Sequence, residues 1–147
     1  MDRTPIPSRA DWGELEENDL DGQAALRSFF GKSLEEAEAL FQRNALFYQE
    51  ELSAMPAGPF NFYAPALVRY VLSDRASGDA DGASSFLEMV RWMLEKHHRS
   101  IRPEVEEALV SAAADVAGRQ EFYEADVAIY GRFEEKLAEI RALAQGR

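Results

Sequence analysis

Apolar residues recur every three or four positions along most of this chain, and the runs end at glycine or proline. Leu34, Ala37, Phe41, Tyr48, Leu52 and Met55 keep that spacing and predict a long amphipathic helix over about 34–54, closed by Pro56, Gly58 and Pro59. Before it, Leu20, Ala24 and Phe30 predict a helix that Gly31 ends. Ser33 and Glu36 stand at capping-box spacing, where hydroxyl and carboxylate each take the other residue's amide proton. Tyr63, Leu67, Tyr70 and Val71 predict a third helix starting near Phe62, with Pro65 in its first turn. Phe86, Val90, Met93, Leu94 and His97 form the stripe of a fourth. Pro103 opens a fifth, with Val105, Leu109, Ala112, Ala113 and Val116 inward and Gly118 as its cap. A last helix runs from Glu121 or Glu124 to Gln145, burying Tyr130, Phe133, Leu137, Ile140 and Ala144.

No useful stretch alternates apolar and polar residues, and the whole chain holds one threonine, four isoleucines and seven valines. Strands favour β-branched residues, so this composition argues against a sheet. The expected fold is all-α: a single-domain bundle or stacked helical hairpins of five to seven helices. No fixed repeat period is visible. Residues 1–19 read differently from 20–147. Pro5, Pro7 and Ser8 lead into DWGELEENDLD, where Asp11, Glu14, Glu16, Glu17, Asp19 and Asp21 stand with no basic residue between them. The expectation is an acidic, partly extended N-terminal arm over 1–19 and a helical domain over 20–147.

Charge then narrows the partners. A net charge of -11 repels phosphate backbones and anionic lipid, which disfavours nucleic acid and membrane and favours a basic protein surface. There is no cysteine, which excludes disulfides, thiolate zinc sites and cysteine nucleophiles and suits a cytoplasmic protein. No apolar run approaches the length of a spanning helix.

Three stretches invite chemistry. Ser77 to Glu88, SGDADGASSFLE, places Asp79, Asp81, Gly82 and Glu88 at calcium-loop positions, but position 1 is Ser77 and position 8 is Ser84. The favoured reading is a helix connection, the next helix beginning near Phe86 with a capping box of Ser85 and Glu88, and Asp79, Asp81 and Ser84 as further cap candidates. Gly31-Lys32-Ser33 ends like a phosphate-binding loop, yet Leu26 occupies the position of the required first glycine. Glu95 and His98 have the spacing of di-iron bundles, which need a second such motif that the chain lacks. No catalytic residue, metal ligand or cofactor is assigned. Phe41, Phe47, Tyr48, Phe60, Phe62, Tyr63 and Tyr70 read mainly as core, and Phe60-Asn61-Phe62-Tyr63 is too rich in aromatics for one buried stripe.

The letters Phe29-Phe30-Gly31-Lys32-Ser33-x-x-Glu36-Ala37, then Leu40-Phe41, Asn44, Tyr48, Phe60-x-x-Tyr63, Leu72-Ser73 and Gly78-Asp79, resemble a group of small acidic helical bacterial proteins of unassigned function. The likeness spans about 20–95 and is similar in size and charge to immunity proteins of bacterial toxin systems. It transfers no site residue. The expected function is a non-catalytic protein-binding module, of the immunity-inhibitor type, for a basic partner. Its contact residues are expected at Trp12, Glu14, Glu16, Glu17, Asp19 and Asp21, with Phe60, Phe62 and Tyr63 as aromatic anchors. The rival is a small helical enzyme or ligand carrier with an aromatic pocket.

Overall fold

The computed structural model describes residues 4–146. All of its regular structure is helical: α1 (Arg9–Trp12), α2 (Leu20–Phe29), α3 (Leu34–Ser53), α4 (Ala57–Leu72), α5 (Ala80–Lys96), α6 (Pro103–Ala117), α7 (Val127–Tyr130) and α8 (Phe133–Gln145). Short 3-10 turns at Asp74–Ala76 and His98–Ser100 lie on either side of α5. Eight α-helices among the described residues exceed the expected five to seven. Two of them, α1 and α7, are four residues long, too short to leave a periodic signal.

The α3–α4 hairpin is the centre of the fold. α4 also packs on α6, α5 packs on α3 and α8, and α8 closes over α6, while α2 and α1 lie on α3 and α4 respectively. Ala37, Phe41, Leu52, Leu67, Phe86, Val90, Leu109, Val116, Phe133 and Ile140 form one continuous core with the aromatics of α2 and α4.

α3 starts with the expected capping box: Glu36 N–H donates to Ser33 Oγ at 3.1 Å, and Ser33 N–H donates to the Glu36 carboxylate at 3.0 Å. The helix is broken at Asn44, where φ is -163° and ψ 84°. Asn44 Oδ1 accepts from Phe47 N–H at 3.1 Å, so the residue caps the second half of the helix that it interrupts. The kink directs Ala45 and Gln49 toward α5, where an added Cβ on Gly82 would lie 3.0 Å from Ala45 Cβ and Gln49 Nε2 donates to Gly82 O at 3.0 Å.

Three boundaries and one buried face differ from those expected. α4 starts at Ala57 rather than near Phe62, because Pro56 and Pro59 fall before and within its first turn, where a missing N–H costs nothing; Pro65 is interior. α5 starts at Ala80, five residues earlier than Ser85, so Ser85 and Glu88 form no capping box. The cap is Asp79, whose Oδ1 accepts from Gly82 N–H at 3.0 Å. The predicted last helix is divided by Gly131, which takes φ 77°. Gln120 holds this break together: its amide donates to Ala125 O and Gly131 O and accepts from Phe133 N–H at 2.9 Å, serving the start of α8 in place of a cap. Finally, Leu20 and Phe30 are exposed, and the buried face of α2 is Gly22, Ala25 and Phe29.

The start of α5 repeats the start of α2. Asp19-Leu20-Asp21-Gly22 and Asp79-Ala80-Asp81-Gly82 share one geometry, with capping φ/ψ of -86°/73° and -87°/72° and an aspartate-to-glycine N–H bond of 3.0 Å in each. In both, a Cβ on the glycine would collide with the capping carboxylate. Glycine at the third helical position follows from that cap. It is this requirement, not a calcium loop, that places Gly82 after Asp79 and Asp81.

Candidate acidic and aromatic groove

Asp19 and Asp21 reach the surface at the first turn of α2, opposite the α3–α4 connection. Asp19 spends one oxygen on Gly22 N–H as the cap, while Asp21 is exposed beside it. With Ser53, Met55, Phe60, Met93, His97 and Trp92 they line a groove of about 440 Å³ where α2, α3, α4 and the end of α5 meet. Trp92 is 40% exposed and meets the His97 ring edge-on, centroids 4.6 Å apart. The groove thus joins two carboxylates to an accessible indole, a combination suited to a cationic side chain that carries an apolar stem.

One further carboxylate lies near this end of the molecule. Glu51 is 7% exposed and its Oε1 has no hydrogen-bond partner among the described residues. Burial pushes its carboxyl above the ordinary value of 4.5, with Asp21 adding to the rise, while Ser28 and Arg27 pull the other way. The fold therefore keeps acidity here at a cost to itself.

The expected contact residues separate into two groups. Glu14, Glu16 and Glu17 are exposed on the segment leading into α2, with Asp19 and Asp21 at its end. Trp12, Phe60 and Tyr63, expected as contacts, are instead core residues, exposed by 1%, 1% and 0%. Trp12 lies 6.5 Å from the Tyr63 ring, and its Nε1 is buried without a partner among the described residues. Ser8 and Asp11 form a capping box for α1, which sets Trp12 against α4. The latter part of the predicted arm is thereby docked on the body. Residues 1–3 lie outside the described residues. Phe62 is half-buried, edge-on to Tyr63 at 4.9 Å.

The other aromatics pack on one another. Phe29 is 5.7 Å from Phe41, 6.1 Å from Tyr48 and 5.2 Å from Tyr63. Tyr63 Oη donates toward Phe29 O at 2.7 Å and Lys32 O at 2.8 Å, closing the end of α2, and its burial pushes the phenol up to about 12. Tyr70 Oη donates to Asp79 at 2.6 Å, and burial together with that carboxylate raises its phenol well above the usual range.

The Ser77–Glu88 stretch is occupied by structural bonds. Asp79 caps α5 and receives Tyr70, Asp81 accepts from Tyr130 Oη at 2.6 Å, and Glu88 meets Lys136 and Arg91. From Ala80 onward the segment is helix, so the twelve-residue ligand loop is not formed. Among the described residues no group of three or more metal-ligating side chains converges.

Sequence reasoning missed Trp92 and Gln49. Trp92 falls off the stripe of Phe86, Val90, Met93 and Leu94, a tryptophan on the polar side of an amphipathic helix, and that misfit was the available signal. Gln49 stands four residues after Ala45 and three before Leu52 on the buried side of α3, so a glutamine at an apolar-stripe position was its signal. Among the described residues, no helix is long and apolar enough to cross a membrane. No family model, curated protein or solved structure matches this chain.

Proposed function

We propose that this protein is a non-catalytic binding module that captures a basic segment of another protein on the face bearing Glu14, Glu16, Glu17, Asp19 and Asp21. The observation that carries the reading is the groove in which Asp19 and Asp21 stand beside exposed Trp92. A net charge of -11 supports it by accelerating encounter with a cationic partner. The specific case in view is an inhibitor of the immunity type, which binds a basic toxin domain in the bacterial cytoplasm; the absence of cysteine suits that reducing compartment.

The test uses a basic partner captured by affinity purification and then purified for direct titration by calorimetry. Glu14, Glu16, Glu17 and Asp21 are replaced together by their amides, leaving the capping Asp19 untouched. Affinity should fall at least tenfold, roughly 1.4 kcal/mol or more, and its salt dependence should flatten. Unchanged affinity would remove this face from the contact.

A further inference from the structure

The Asp19–Asp21 groove shares Ser53 and Trp92 with a second cleft, about 290 Å³ in volume, between α3 and α5. Gln49 lines it and is 1% exposed. Its Nε2 donates to Gly82 O, which fixes the amide's orientation, since a carbonyl oxygen accepts only from a donor. The Gln49 Oε1 atom is then left buried with no donor among the described residues. An unpaired buried acceptor destabilises the fold that holds it, so this oxygen needs an explanation.

The rest of the cleft supplies more acceptors. Glu50 lines it, and its carboxylate has no partner among the described residues. Glu88 stands at the same cleft with Lys136 and Arg91 on its carboxylate, and Arg91 also reaches Glu95 and Glu139, so both cations are already engaged. Trp92 and Met89 provide apolar walls. An anionic ligand would meet mostly acceptors. A cation with several N–H donors would meet an unpaired carboxylate and an indole face, and the orphan amide oxygen, buried just behind them, comes within its reach once the cleft wall gives way around Gln49.

We infer that this cleft seats one cationic side chain of a protein partner, a guanidinium or a primary ammonium, with Gln49 Oε1 and Glu50 as acceptors and Trp92 as the ring it lies against. This rests on the basic-partner reading and makes the α3–α5 cleft its anchor point. Arginine and lysine share the required chemistry, and separate peptides distinguish them. A guanidinium can stack on the indole while it donates at its edges, whereas an ammonium offers a compact charge.

The experiment titrates the isotopically labelled full chain with an oligo-arginine peptide, an oligo-lysine peptide and an oligo-glutamate control. The signals followed are the Trp92 indole N–H, the Gln49 side-chain amide and the Asp21 backbone amide. The inference expects the first two signals to shift with at least one basic peptide and not with the control. Trp92→Ala, Glu50→Gln and Gln49→Met should each weaken that peptide by about tenfold or somewhat less. If Gln49→Met does not fold, the two surface variants still decide. Binding that moves Asp21 but not Trp92 or Gln49, and that survives all three substitutions, overturns the anchor while leaving the basic-partner reading standing. Absence of response to either basic peptide at low salt overturns both.

Discussion

The α2–α4 seam and the α3–α5 crossing each bury a polar atom with no partner among the described residues, Trp12 Nε1 and Gln49 Oε1, but they treat their aromatics in opposite ways. At the α2–α4 seam, Tyr63 is buried among Phe29, Trp12 and Phe62, and its hydroxyl shares its one proton between two backbone carbonyls. At the α3–α5 crossing, Gln49 also reaches a backbone carbonyl, yet its oxygen has no partner among the described residues, and the neighbouring Trp92 is left 40% exposed. The seam gains stability from its aromatics. The crossing leaves an indole open to solvent, as a surface that awaits a partner would.

The sharpest way to break this contrast is at Tyr63. Removing its ring in Tyr63→Ala deletes a fully buried aromatic and should cost about 3–5 kcal/mol, lowering the melting temperature by roughly 10 °C or more. Tyr63→Phe keeps the ring and removes the donor to the Lys32 carbonyl, while Phe29 O still accepts from Lys32 N–H at 3.0 Å, so it should cost about 1–2 kcal/mol. Urea denaturation of the three proteins measures both. A Tyr63→Phe variant as stable as the parent would show that the hydroxyl does not hold the end of α2.

Gly82 and Gly22 give an internal control on the crossing. Both sit at the third position after a capping aspartate, and a Cβ at either disturbs that cap. A Cβ on Gly82 would also lie 3.0 Å from Ala45 Cβ, whereas the three atoms nearest to a Cβ on Gly22 all belong to Asp19. Gly82→Ala should therefore destabilise by about 1–3 kcal/mol, and by more than Gly22→Ala, because it adds overpacking between α3 and α5 to the lost cap. Equal losses in a denaturation series would mean that α5 moves away from α3 without resistance.

Most of the helical plan is legible in the letters, and the reasons for the failures are physical. Leu34 to Met55 revealed α3, because its apolar positions follow a helical period; Asn44 left no trace, since a polar residue on an exposed face does not disturb that period. The start of α5 was misplaced because Ser85 and Glu88 imitate a capping box that is absent, while Asp79 with Gly82 forms a cap whose glycine reads as a turn. In the candidate site, Asp19 and Asp21 could be picked out by charge. The burial of Phe60, Tyr63 and Trp12 was not legible, because residue type cannot tell a core aromatic from an exposed one without knowing where α1 docks.

Acidity separates the regions in a way that pH can expose. A carboxyl held above 4.5 in the folded state, as Glu51 is by burial, binds its proton more tightly there than in the unfolded chain. Stability from this group is thus present at acid pH and lost as pH rises through its elevated folded value. Glu51→Gln should melt higher than the parent at pH 7, with the advantage shrinking toward pH 4.5. Glu36 acts in the opposite sense: bonds from the Ser33 amide and hydroxyl hold its carboxyl low, so its contribution is lost as pH falls. The informative quantity is therefore the difference between variant and parent at each pH, measured by calorimetry. A pH-independent difference would place Glu51 in contact with water.

The smallest expected change in stability is at the open cleft itself, and it tests the comparison from its other side. Glu50 is exposed and has no partner for its carboxylate among the described residues, and Trp92 keeps much of its ring in solvent. Surface substitutions that touch no cap, core contact or buried polar group fall within about 0.5 kcal/mol, so Glu50→Gln should be nearly neutral. Trp92→Ala should cost about 1–3 kcal/mol, below the loss at Tyr63, because part of the ring already stands in solvent. The same two changes are the ones expected to weaken binding of a cationic peptide by up to tenfold. If Trp92→Ala instead unfolded the protein as severely as Tyr63→Ala, the indole would be a structural element of the α3–α5 crossing, and the division between a seam that stabilises and a cleft that binds would collapse.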